Sequence, residues 1–90
     1  MSAEDLKLEM RKTASLVDTA RRLVADGKIV DLAALEGKAR MIADGAGRLP
    51  RDEGRTLLPG LEALVEGLDR LAEELGRARG RVSFADPAET

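Results

Sequence analysis

Leucine recurs through the last third of the chain at positions 57, 61, 64, 68, 71 and 75, in alternating steps of four and three residues. That alternation is a heptad, with Leu57, Leu64 and Leu71 at d and Leu61, Leu68 and Leu75 at a. Leu58, Val65 and Ala72 follow at e, so the apolar face is wider than a two-position seam and predicts a helix that touches more than one neighbour. The first third repeats the rhythm: Leu6, Met10, Thr13, Val17, Ala20 and Val24 alternate four and three, with Leu16 and Leu23 widening the stripe. Between them Leu32, Leu35, Ala39, Ile42, Ala46 and Leu49 keep the same steps. Three amphipathic segments joined by short links predict an all-α, antiparallel three-helix bundle with heptad-patterned helices.

The boundaries follow from capping chemistry. Ser2 with Asp5 three residues on has capping-box spacing, and Gly27 supplies the left-handed residue that closes a helix, which places helix 1 at about 3–26. Asp31 is an N-cap for helix 2, at about 32–46, with Val30 and Leu35 spaced as a hydrophobic staple. Helix 3 is expected over about 51–79 with a bend near 55–59, where Pro59 interrupts the backbone ladder; the alternative is a start near Thr56, which would put Pro59 in the first turn at little cost. Asp18 with Arg22, Glu36 with Arg40, Glu66 with Arg70 and Glu73 with Arg77 are spaced for i, i+4 ion pairs on solvent-facing surfaces. Residues 1–79 thus form one domain, and glycines and a proline replace the heptad in the short stretch 80–90, read as a flexible tail.

Composition narrows the chemistry. The chain is 43 % hydrophobic and 36 % charged, too apolar in pattern for disorder and too charged for a membrane span. Cysteine and histidine are both absent, which removes disulfides, thiolate metal sites, the commonest general base and the commonest transition-metal ligand. The adjacent acids Asp52 and Glu53, or Glu73 and Glu74, have no Ser, His or Lys placed to complete a mechanism. No enzyme, cofactor or metal is expected. Acids stand where a signal peptide needs bases, and a cytoplasmic location is the default expectation. A net charge of −2 with interleaved signs gives no general pull toward nucleic acid. Arginines 77, 79 and 81 make a local basic patch, but helix 2 is mostly Ala, Gly and Leu where a recognition helix needs polar side chains. Single-strand binding lacks aromatic platforms, since Phe84 is the only aromatic residue.

What remains is protein binding. Leu58 and Val65 at e, with off-seam Leu8 and Met41, exceed what a three-helix core needs to cover and are candidates for a partner groove or an oligomer interface. Gly60 and Gly67, one heptad apart, would let another backbone approach closely. In the tail, Val82 and Phe84 form a short apolar hook able to add a strand to a partner or fold back on the bundle. They belong to Arg81–Phe84, R-V-S-F, which resembles the docking motif of protein phosphatase 1 partners.

The corner G-K-I-V-D-L-A-A-L-E-G-K-A-R, placed between a long first helix and a second helix followed by L-P and a leucine-rich third, resembles the FliT and FlgN class of flagellar type III export chaperones. The matching positions are Gly27, Asp31, Leu32, Leu35 and Glu36; an aromatic often seen at this corner has no counterpart here. The resemblance implies a cytoplasmic chaperone that holds the terminal helix of an export substrate by helix-in-groove contacts. From helices 1 and 3 such a chain would offer an apolar surface to its partner. The alternatives are a self-associating homodimer built on the wide heptad faces and, less favoured, a small DNA-associated regulator.

Overall fold

The computed structural model describes residues 2–83, with side chains described for 2–78. Three helices, α1 (Ala3–Ala25), α2 (Leu32–Gly47) and α3 (Arg51–Ser83), pack all against one another, and no strand occurs among the described residues.

Local chemistry explains where each helix starts and stops. At the head of α1 the Asp5 N–H donates to Ser2 Oγ at 3.2 Å while the Ser2 N–H donates to Asp5 Oδ2 at 3.2 Å, a complete capping box. The same Ser2 N–H holds the Asp5 carboxyl below its ordinary pKa. At the tail of α1, Gly27 has φ 86°, the Lys28 N–H donates to the Leu23 carbonyl at 2.8 Å and the Gly27 N–H to that of Val24 at 3.0 Å. These two bonds make a Schellman motif, which is why the turn takes a glycine. Asp31 Oδ1 then accepts the Ala34 N–H at 3.1 Å and starts α2, while Val30 is half-buried against the core that contains Leu35.

α3 opens directly after Pro50, whose carbonyl accepts the Gly54 N–H at 2.9 Å. It is continuous through Pro59, so the proline sits inside the helix and leaves the Arg55 carbonyl without its usual donor. The helix also continues to Ser83 rather than ending near 79, so 80–83 are helical where a flexible tail was expected. Arginine has a high intrinsic helix propensity, and the three arginines at 77, 79 and 81 offset the glycines at 76 and 80. Residues 84–90, and the apolar hook's Phe84 with them, lie outside the described residues, as does the Val82 side chain.

The core takes Leu6, Val17, Ala20 and Val24 from α1, Leu35, Ala39, Ile42 and Ala46 from α2, and Leu57, Leu64, Leu68, Leu71 and Leu75 from α3. Each fully buried leucine contributes about 1.5–3 kcal/mol. Thr13 is enclosed among them, and its hydroxyl donates to the Glu9 carbonyl at 2.8 Å, which satisfies a polar group that burial would otherwise penalise. Leu16 and Leu23 of the α1 stripe are exposed instead, since α1 turns only one narrow face inward.

The glycines record how closely the helices approach. A Cβ on Gly60 would lie 2.9 Å from Met10 Cε, and one on Gly67 would lie 3.4 Å from Val17 Cγ1, so these two admit side chains of α1 rather than a backbone. Backbone approach occurs at Gly54, where a Cβ would sit 2.9 Å from the Ala46 carbonyl oxygen of α2. Gly45 of α2 likewise accepts Leu6, with a Cβ there 2.9 Å from Leu6 Cδ2. Positions along α1 and α3 advance together, since Met10 lies by Gly60, Val17 by Gly67 and Arg21 by Glu74.

Candidate interaction surfaces

Grooves run along two sides of α3. The first runs between α1 and α3, a cleft of about 320 Å³ whose lining includes Met10, Ala14 and Val17 from α1 and Gly60, Ala63, Leu64 and Gly67 from α3. Small side chains on α3 make it a trough, and Lys7 and Arg11 at one end with Asp18 at the other give it polar rims. From residue 7 to residue 18 it follows roughly 17 Å of α1, three turns of helix.

The second groove lies between α2 and α3, about 530 Å³, with Ala43, Ala46 and Gly47 on one wall and Gly54, Leu58 and Leu61 on the other. Arg51 and Arg55 flank its start, and a continuation along α3 passes Leu61 and Val65 beside Glu62 and Glu66. Leu58 and Val65 are 51 % and 50 % exposed, and the structure brings both onto this face. Met41, 60 % exposed, sits apart beside Asp44, Gly45 and Arg48, and Leu8, 48 % exposed, lines neither groove. The candidate apolar residues are therefore not one patch.

Below the first groove, α1 and α3 are clamped by an ion pair that sequence spacing did not suggest. Arg21 donates from Nε to Glu74 Oε1 at 3.0 Å and from Nη2 to Glu74 Oε2 at 2.9 Å. These hydrogen bonds hold the Glu74 carboxyl below its usual pKa, with Arg77 and Arg70 adding to the effect, and raise that of Arg21. The other ion pair among the described residues joins Lys12 to Glu9 at 3.8 Å. None of the four i, i+4 pairs expected from spacing closes, because each such pair leaves two long side chains to water at little gain. Arg51, Arg55 and Glu62, which sequence spacing did not single out, border the second groove and its continuation together with Glu66, expected only as a partner of Arg70. Their order along α3, bases before acids, was the available signal.

Among the described residues no group of three or more acidic side chains stands close enough to hold a metal ion. No described helix is long and apolar enough to cross a membrane. No family model matches this chain. Neither a curated protein nor a solved structure matches it.

Proposed function

We propose that this chain is a non-enzymatic helical protein-binding module that holds an amphipathic partner helix in the trough between α1 and α3. The observation that carries this reading is the trough's lining, where Ala14 and Ala63 are small and exposed and Gly60 and Gly67 are met only by the Met10 and Val17 side chains of α1. A helix laid there reaches Met10, Val17 and Leu64, and acidic residues near its one end would meet Lys7 and Arg11. The bundle is read as up-down-up, with α2 antiparallel to both neighbours, and the shared advance of α1 and α3 supports it. For the class of client we keep the flagellar export substrate implied by the corner from Gly27 to Glu36, where the glycine turn and the Asp31 cap support the helical hairpin. The chain would then act in the cytoplasm as an export chaperone.

The test is affinity capture of the tagged protein from its own cell extract, followed by mass spectrometry. Enrichment of a secreted, helix-ending protein that is lost when Ala14→Glu and Ala63→Glu block the exposed trough supports the reading. Capture unchanged by both substitutions overturns it.

A further inference from the structure

We propose that the groove between α2 and α3 is covered by a second copy of this chain, with the two α3 helices antiparallel across a two-fold axis. Leu58, Leu61 and Val65 follow one another at i, i+3 and i+7 and form one apolar stripe of α3 that the intrachain core leaves half open. The charges beside that stripe are ordered. Arg51 and Arg55 lie at its start and Glu62 and Glu66 along its continuation. Among the described residues none of these four makes an ion pair within the chain.

That order is self-complementary in one direction only. The midpoint between Arg51 and Glu66 is also the midpoint between Arg55 and Glu62, and it falls between Leu58 and Pro59. An axis there sets Arg51 opposite Glu66 of the second copy and Arg55 opposite its Glu62, twice over. It also brings Leu58 within two residues of the level of Leu61 of the second copy, and Leu61 within two of its Leu58. Parallel pairing would leave each arginine level with the same arginine of the second copy and each glutamate with the same glutamate, with no arginine level with a glutamate. Isologous contacts of this kind are what a two-fold dimer requires. The apolar stripe supplies affinity, and the rim charges set direction. This face is separate from the α1–α3 trough, so dimerisation leaves the proposed partner site open.

Sedimentation velocity on the full chain tests the proposal. The unaltered protein is expected to be a dimer that weakens as salt screens the rim. Val65→Glu is expected to give a monomer with unchanged circular dichroism. Arg51→Glu with Arg55→Glu turns all four positions acidic, and Glu62→Arg with Glu66→Arg turns all four basic. Each pair is expected to weaken self-association on the order of a hundredfold, since like charges across an interface cost several kcal/mol. An equimolar mixture of the two should form a heterodimer, and all four changes in one chain should restore the homodimer. A monomer at every concentration of the unaltered protein, or a dimer indifferent to both charge swaps, overturns the proposal. Neither result touches capture through the trough, because the substitutions lie on the other side of α3.

Discussion

Arg21 and Glu74 stand 53 residues apart in sequence and meet fork to fork, guanidinium Nε and Nη2 on the two carboxylate oxygens at 3.0 and 2.9 Å. Apolar packing lets two helices slide by a turn at modest cost, whereas a bidentate pair has one geometry. The pair therefore pins the register of α1 on α3 at the end of the bundle away from Gly54. Its contribution should depend on pH in a defined direction. Because the folded state holds the Glu74 carboxyl below its unfolded value, the stabilisation is complete above the ordinary carboxylate pKa of about 4.3 and disappears as pH falls through the lowered one. Thermal melts of the protein and of Glu74→Gln should differ by a constant amount from neutral pH down to about 5 and converge at still lower pH. A gap that persists in acid would assign the effect to the side chain's packing instead of its charge.

Gly54 and Gly37 offer a contrast between two glycines inside helices. Alanine is favoured over glycine by about 1 kcal/mol in a helix interior. At Gly37 nothing lies within 4 Å of an added Cβ, so Gly37→Ala should gain most of that amount. At Gly54 the Cβ would stand 2.9 Å from the Ala46 carbonyl oxygen, and a backbone atom cannot swing aside. Gly54→Ala should therefore lose about 1–2 kcal/mol net, the overpacking cost exceeding the propensity gain. Urea titrations of both variants with equal m-values would read the opposite signs directly.

The contrast also marks where sequence pattern stops being informative. Heptad spacing identifies the inward face of a helix, and Leu57, Leu64, Leu71 and Leu75 are buried accordingly. Capping pairs are local, so Ser2 with Asp5 and Asp31 with Ala34 were readable at a distance of three residues. The azimuth and closeness of a neighbouring helix are set by the sum of all contacts, and no short window carries them. Gly54 consequently carried no signal of its contact with Ala46, and Glu74 looked like one of two adjacent acids. For the same reason Leu58 and Val65 could be flagged as surplus to a core while Leu8 and Met41, flagged beside them, fall elsewhere on the surface.

Thr13 tests whether the buried hydroxyl is a stabilising feature. Its Oγ1 donates at 2.8 Å to the Glu9 carbonyl, an oxygen positioned to accept the Thr13 N–H in the helix ladder as well. Thr13→Val removes the hydroxyl, leaves that carbonyl its helical partner, and fills nearly the same volume with a methyl group. The variant should be at least as stable, by up to about 1 kcal/mol, because no donor or acceptor is orphaned. Thr13→Ala should instead lose stability through the cavity it opens at this buried position. Melts of the two variants separate loss of a hydrogen bond from loss of volume.

Pro59 imposes a local cost on the longest helix. It lies well inside α3, where its ring removes the donor for the Arg55 carbonyl and crowds that oxygen, a defect of about 3 kcal/mol in a regular helix. Against this, proline restricts the unfolded chain and recovers about 0.4–1 kcal/mol. The side chain is exposed, so Pro59→Ala removes no core contact. The substitution should stabilise the bundle by about 2 kcal/mol, which for a domain this small is a rise in Tm of roughly 8–16 °C. Pro59 also stands at the centre of the proposed two-fold axis, where a change in the course of α3 would shift the distance between Arg51 and Glu66 of the second copy. A variant that gains thermal stability while its self-association weakens would show that the proline shapes the dimer face at the expense of the helix. A gain in both would show that the interface tolerates a complete backbone ladder at this position and that the proline contributes nothing to pairing.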